Sequence, residues 1–430
     1  MFAKVGIGAM NFSLIELAND LFVKTLKRKN MKIIVALFLA TSVLMVPRPV
    51  AADGKKYGPG VSDHEIKIGQ TMPYSGPASA FATCGISHQR FFKSINDQGG
   101  INGRKIKLIS LDDAMTPPKT VEQIRRLVEG DEVLLLFGVL GPGALSILDY
   151  VDRKKVPFLF PSGAARQFQQ PDKHPWTMGW LTPFEFDGRM FARYILKERP
   201  NAKIGILWED NDMGRETLDG IKLELGDRAA RMIVAEQRYL LTDPTINSQV
   251  IAMKGAGADT VITLASPKFA AQTIRKIYDL GWHPLHLIGY PGSGLNTLEI
   301  AGLEKSKGLI SAYFAKTVTD PVMRNDEDVK QYYAWKAKYY PEGNINDGCI
   351  DYGYTQAHLL VQVLKQCGDN LTRETVMHQA RNLRDVRLPL LVPGITINTS
   401  PTDYRPIQST QFQRFDGHQW IFFGELMTDN

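Results

Sequence analysis

Short apolar runs alternate along this chain with stretches whose apolar residues recur every three or four positions. The alternation is complete between Asp131 and Ala165. Val133–Phe137 is apolar, has the length of a buried strand and is closed by Gly138. The loop Gly141-Pro142-Gly143 follows, then Ala144, Ile147, Leu148 and Val151 at helical spacing, then a second apolar run, Phe158–Phe160, that stops at Pro161-Ser162-Gly163. Strand, loop, helix and strand make the repeating unit of a parallel sheet. In such a sheet the loops leaving the strands gather at one edge, where ligands bind. The loops at 138–143 and 161–164 are therefore the first candidates for a binding edge. Either one alone is equally a turn that any α/β domain needs.

The same rhythm starts earlier and resumes later. Ile66–Thr71 reads as a strand, Gly85–Asp97 as a helix stopped by Gly99-Gly100, and Lys105–Leu111 as a strand closing at Asp112-Asp113. Pro117-Pro118 opens a helix bearing Val121, Ile124, Leu127 and Val128 on one face. Residues 165–187 break the pattern and are aromatic, with Phe168, Trp176, Trp180, Phe184 and Phe186, as in a crossing between lobes. Beyond them the pattern predicts strands at 203–208, 232–235, 260–264, 286–288 and 309–313, with helices at 214–225 and 267–280. Helices at about 326–340 and 351–367 come next, a third opens at Thr372, and Asp416-Gly417 marks a terminal hairpin between 411–415 and 419–423. Two β-α runs joined by an irregular crossing predict an α/β fold of two similar doubly wound lobes with a cleft between them.

Length and composition fit this picture without sharpening it. The chain has 430 residues, 44% of them hydrophobic and 22% charged, an ordinary globular balance. The N-terminus stands apart. Lys27, Arg28, Lys29 and Lys32 precede the apolar stretch 33–46, which is too short for a comfortable membrane span, and Val50-Ala51-Ala52 places small residues at a cleavage site. We read a secretory signal peptide cut after Ala52, with Met31 as the start and residues 1–30 as an over-extended reading frame; an uncleaved anchor is the alternative. Residues 1–52 hold seven of the 51 basic and two of the 45 acidic residues, so the remainder has 44 and 43, a net charge of +1. The basic pI of the whole chain therefore implies no polyanionic partner such as nucleic acid. An exported chain can form a disulfide. Of Cys84, Cys349 and Cys367, the last two are the pair closest in sequence.

The sequence lacks G-x-S-x-G, H-E-x-x-H and a P-loop. Asp112-Asp113 and Asp210–Asp212 sit where strand-end turns and helix caps are expected. His283 and His286 have no carboxylate or cysteine company that would suggest zinc, and His358 is expected to pack on its helix. The positive signal lies in the helix starts. Gly141–Ala144, Ser162–Ala164, Asn211–Gly214 and Ser266-Pro267 each end a strand and open, or nearly open, a helix. Unpaired N–H groups there would present a positive end to a small anion, most naturally a carboxylate. Tyr74, Phe81, Trp180, Phe269 and Tyr290 are the candidate apolar walls.

These segments also carry a resemblance. The signal peptide, IKIGQTMPYSGPAS at 66–79, the stretch from Phe91 to Val128 containing GGINGR and DD, LFGVLGPG at 136–143 and VPFLFPSGAA at 156–165 resemble the type I periplasmic solute-binding proteins of ABC importers, in the leucine/isoleucine/valine-binding branch. The resemblance runs over roughly residues 62–425. It implies two lobes joined by three hinge crossings, lobe 1 at 53–182 completed by about 311–386 and lobe 2 at 183–310 completed by about 387–425. It also implies a non-catalytic, cofactor-free monomer that closes on a small solute and docks on a membrane permease. Its binding positions fall here on or near Pro142, Ser162, Ala164, Met213, Ser266 and Pro291; together with the loop and wall residues read above, the ligand-binding candidates are Tyr74, Ser75, Phe81, Leu140, Gly141, Pro142, Ser162, Gly163, Ala164, Trp180, Asn211, Met213, Ser266, Phe269, Tyr290 and Pro291. Several differ in kind: Pro142 stands where amino-acid binders offer a serine hydroxyl, Met213 and Ser266 stand near positions of tyrosines, and Pro291 stands near the carboxylate that pairs with the ligand ammonium. The expected ligand is thus a carboxylate without an amine, an aromatic acid being one candidate, and no branched-chain amino acid. Two other readings stay open: a periplasmic sensor working through a membrane partner, and an α/β enzyme, for which the sequence offers no clear nucleophile–base pair or cofactor loop.

Overall fold

The computed structural model describes residues 55–429. The signal segment expected at 1–52 lies outside the described residues. Two separate sheets carry the fold. The first contains β2 (Glu65–Met72), β3 (Lys105–Asp112), β4 (Leu135–Phe137), β5 (Phe158–Leu159) and β6 (Thr177–Met178), in the order β3-β2-β4-β5-β6 and parallel throughout. A small parallel pair, β1 (Lys56–Tyr57) with β12 (Asn370–Leu371), ties the start of the described chain to a late segment. The second sheet contains β7 (Ile204–Glu209), β8 (Ile233–Tyr239), β9 (Thr260–Leu264), β10 (Leu285–Ile288), β11 (Ile310–Tyr313), β13 (Ser409–Phe415) and β14 (Trp420–Thr428), in the order β14-β13-β11-β10-β9-β7-β8. Its last two strands are antiparallel and form the hairpin expected around Asp416-Gly417.

The interior strands are apolar because helices cover both of their faces. Every residue of β4, β7 and β9 is buried. The Ala82–Asp97 helix turns Phe91 and Phe92 inward, 2% and 1% exposed. In the second lobe the helices Phe184–Glu198 and Asp212–Leu225 pack at backbone distance. A Cβ on Gly188 would run into the Thr217 carbonyl, and one on Gly220 into the Glu185 carbonyl.

Three chain crossings join the lobes: around 179–183, from β6 to the Phe184–Glu198 helix; around 314–326, from β11 to the Glu327–Tyr339 helix; and around 381–408, from the Arg373–Ala380 helix to β13. They lie side by side. Ala315 bridges Leu391, the Val392 N–H donates to the Phe314 carbonyl (2.9 Å), and the Ile407 N–H donates to the Trp180 carbonyl (3.2 Å).

Several expectations need correction. The region 165–187 is not wholly irregular, since it contains edge strand β6. The helix expected across 144–151 is two pieces, Pro142–Leu145 and Leu148–Lys154. The boundary placed at 310 cuts through β11, all of which belongs to the second sheet. The cysteine pairing is also different: Cys84 is bonded to Cys349, with Cα atoms 4.5 Å apart, and Cys367 is free and buried. Cys349 and Cys367 stand at opposite ends of the Gly348–Gln366 helix. Eighteen residues at about 1.5 Å each separate them by roughly 27 Å, against the ~7 Å a disulfide tolerates between Cα atoms.

Candidate functional site

One cavity of about 210 Å³ opens where the carboxyl ends of the two sheets face each other beside the crossings. Of the residues singled out from sequence, Phe81, Leu140, Gly141, Pro142, Ser162, Gly163, Asn211, Met213, Ser266, Tyr290 and Pro291 line it. Backbone geometry sets the first wall. Gly141 has φ +66°, and a Cβ there would run into the Met115 side chain, which itself lines the cavity. Phe160, just before the second loop, holds φ +55° although it carries a side chain, a strained conformation that aims Ser162-Gly163 at the cleft.

Five of the expected residues do not line the cavity. The Tyr74 hydroxyl pairs with Ser110 (2.6 Å) and receives the Gln89 amide (3.1 Å). Ser75 donates to Asp112 through its backbone N–H (3.1 Å) and hydroxyl (2.6 Å). Ala164 is buried, and its carbonyl receives the Phe184 N–H (3.1 Å). Trp180 is fully buried in the hinge among Phe160, Phe314 and Tyr352. Phe269 is fully buried against Tyr239, with ring centroids 4.4 Å apart. These residues sit close to the right loops, but Ala164, Trp180 and Phe269 are buried in the lobes, and half-buried Tyr74 and exposed Ser75 are spent on partners within lobe 1.

The helix starts are less free than expected. The Ser162 N–H donates to Val139, the Gly163 N–H to Pro161 and the Ala144 N–H to Gly141. The Gly214 N–H is taken by the Asn211 side chain at 3.1 Å. Ser266 does not cap its own helix; its hydroxyl donates to Glu209 Oε2 at 2.6 Å. That same carboxylate receives the Tyr239 hydroxyl (2.7 Å), the Ser266 N–H (3.3 Å) and the Asn211 amide (2.8 Å), so Glu209 gathers three strand ends into one hub. The amides expected to hold an anion are therefore largely occupied within the chain. The acidic turns behave as structural features: Asp112 holds Ser75, Lys119 and the Ala114 N–H, and Asp113 holds Thr120 and the Met115 N–H. His286 bonds Thr263 at 2.8 Å, and His358 packs on Phe91 and Tyr354. Burial pushes both histidines down to about 3, so they are neutral.

What sequence reasoning missed comes from later segments. Phe184, Tyr313, Asp351, Tyr352 and Trp420 line the same cavity, as do Phe168 and Lys316. Lys316 is spent on Asp326 (2.8 Å) and Asp328 (2.7 Å). Tyr290 stacks on Phe184 at 6.4 Å with an interplanar angle of 15°. Asp351 is 6% exposed, and burial raises its carboxyl to about 8. A signal for it existed: Ile350, Tyr352, Tyr354, Leu359-Leu360-Val361 and Val363-Leu364 mark a largely buried helix, so an acid near its start needs a reason.

Comparison with known proteins agrees with this architecture. A family model described as periplasmic binding protein matches residues 65–419. A Leu/Ile/Val-binding protein homolog 7 from Brucella suis is 25% identical over 252 residues, covering 55% of this chain and 61% of the relative, so the match spans about three fifths of that protein. A branched-chain amino acid ABC transporter protein from Thermus thermophilus, solved with bound valine, superposes with TM-score 0.78 at 15% identity over 86% of this chain and 98% of its own. A fatty acid ABC transporter substrate-binding protein from Thermomonospora curvata gives TM-score 0.71 at 20% identity over 88% and 96%. With two parallel-sheet lobes, three crossings, a cleft at the strand ends and a family match over most of its length, this chain belongs to the periplasmic binding proteins, as a type I member of the leucine/isoleucine/valine-binding family.

Proposed function

We propose that this protein is the periplasmic substrate-binding component of an ABC importer, capturing a small organic solute between its lobes and presenting the closed form to a membrane permease. The observation that carries the reading is the cavity itself: both lobes line it, and residues 316–319 of a crossing reach into it. Filling the cavity and closing the hinge are then one event. No step of this role requires catalysis or a cofactor.

Within that role we assign the solute to the carboxylates, with an aromatic acid as first candidate, and not to the branched-chain amino acids. The volume is below the roughly 300–1,000 Å³ of drug-sized sites, so the occupant is compact. The walls are mainly apolar and aromatic. Pro291 offers no charge, and Asp351, held near 8, is neutral at pH 7. Of the other lining acids, Glu209 and Asp347 are engaged within the chain and Asp212 lies beside Arg215, so an ammonium enclosed here would lose its water for a weakened counter-ion, at a cost of several kcal/mol. Isothermal titration at pH 7 with benzoate and with leucine tests the assignment. Benzoate is expected to bind and leucine not, and tight leucine binding would refute it. N-terminal sequencing of the exported protein is expected to begin at Asp53; retention of residues 1–52 would favour the anchor instead.

A further inference from the structure

Among the polar groups facing the cavity, Asp351, Tyr290 and Tyr313 have no side-chain hydrogen-bond partner among the described residues, and Asp212 beside them has only the charge of Arg215 nearby. Asp351 lies in the first turn of the Gly348–Gln366 helix in lobe 1, and its carboxyl meets only its own N–H and that of Tyr352. Tyr290 opens the turn after β10, and Tyr313 ends β11, both in lobe 2. Neither hydroxyl has a hydrogen-bond partner among the described residues, although both rings are fixed, Tyr290 on Phe184 and Tyr313 on Phe314 (4.7 Å). The neighbouring polar groups of the cavity are committed elsewhere: Glu209 to Tyr239, Ser266 and Asn211, Asp347 to the Cys349 N–H (3.0 Å), and Lys316 to Asp326 and Asp328. Both tyrosines are half-buried, with hydroxyls open to whatever fills the cavity, and a polar group that a solute would cut off from water is costly unless the solute pairs with it.

We propose that Asp351, Tyr290 and Tyr313 form the anchor for the polar end of the solute, each donating an O–H hydrogen bond to a carboxylate oxygen and thereby joining a lobe 1 group to two lobe 2 groups across the cleft. The inference rests on the carboxylate reading above and supplies what the occupied loop amides cannot. Burial keeps the Asp351 carboxyl protonated up to about 8 and raises both tyrosines well above their usual range, so all three are donors at neutral pH. Asp351 is faced by Asp347 on its own helix, by Tyr313 from β11, and by Tyr332 from the Glu327–Tyr339 helix; none supplies a positive charge. When Asp351 loses its proton it stops donating and sets a second negative charge beside the solute. Affinity is therefore present below about pH 8 and lost above it.

The test is calorimetric titration of benzoate, benzylamine and benzyl alcohol into the wild-type protein and into D351N, D351A, Y290F and Y313F, from pH 6 to 9. The benzoate Kd is expected to be flat below about 8 and to rise by up to about tenfold per pH unit above it. D351N keeps a neutral donor, so it should bind benzoate within a few-fold of wild type and lose the pH dependence. D351A, Y290F and Y313F should each weaken benzoate on the order of tenfold. Should D351A fail to fold, D351N and the tyrosine variants still decide. Benzoate binding that is unchanged in D351A and both tyrosine variants, or that tightens with rising pH, would overturn the anchor while leaving the carboxylate reading standing. Wild type binding benzylamine but not benzoate would overturn the reading itself.

Discussion

The two lobes build their halves of the cavity in different ways. Lobe 1 presents two glycine- and proline-bearing loops, Leu140-Gly141-Pro142 and Ser162-Gly163, beside Asp351 and Tyr352 of the Gly348–Gln366 helix, and it is braced over long sequence distances. The Cys84–Cys349 disulfide joins two helices 265 residues apart in sequence. Gln70 donates to His88 (2.7 Å) and to the Phe137 carbonyl (3.2 Å), while Gln356 reaches back to the Phe160 carbonyl (2.9 Å). Lobe 2 presents side chains, with Asn211, Met213, Tyr290 and Tyr313, and ties its strand ends through one local hub, Glu209. A wall of glycine and proline loops has little shape of its own and needs distant elements to hold it. A wall of helix starts and aromatic rings can be held by one well-satisfied carboxylate. Both walls thus carry polar side chains for a solute, while the long-range bracing falls on the first.

Variants can break this contrast in order of size. Reducing the disulfide, or making C84S/C349S, is expected to cost about 4 kcal/mol and to fall on lobe 1, because the bond closes a very long loop. Calorimetry with and without reductant should show an early transition for lobe 1, whereas one unshifted transition would mean that the bond is not a brace. Removing the hub with E209A leaves Tyr239 and Ser266 donating to nothing and should cost about 3 kcal/mol, read by urea unfolding. It should loosen lobe 2 alone, seen as faster amide exchange at Ser266 and not at Ser162. G141A places a Cβ at positive φ against Met115 and should cost about 1–3 kcal/mol. If G141A is as stable as wild type, the first loop is softer than its backbone suggests. Smallest is K93A, which removes an exposed pair with Asp97 on the Ala82–Asp97 helix and should leave the melting temperature unchanged within error.

The cleft edge was legible in sequence because a parallel sheet brings every strand-end loop to one side, so Leu140-Gly141-Pro142, Ser162-Gly163, Asn211, Met213, Ser266, Tyr290 and Pro291 could be grouped without coordinates. Side-chain direction was not legible. Trp180 and Phe269 occupy a suitable loop and the first turn of a suitable helix and turn inward, because a large ring gains more by filling a core than by lining a wet cleft, while the half-buried Tyr74 is held aside by Ser110 and Gln89. The free helix-start amides were also misjudged. A turn closes its own N–H groups when a carbonyl or a cap lies two or three residues away, as at Gly163 and Gly214.

What the sequence determined by itself is the succession of strands and helices and hence the two-lobed α/β plan. Apolar periodicity, glycine stops and proline starts act within about a dozen residues, and each element can be read from its own stretch. Tertiary structure alone decided that Cys84 meets Cys349, that Glu209 claims Ser266, and that Asp351, Tyr313 and Trp420 arrive at a cavity first outlined by loops hundreds of residues away. Those meetings depend on how the three crossings return the chain, a long-range arrangement to which no local pattern of polar and apolar residues is sensitive.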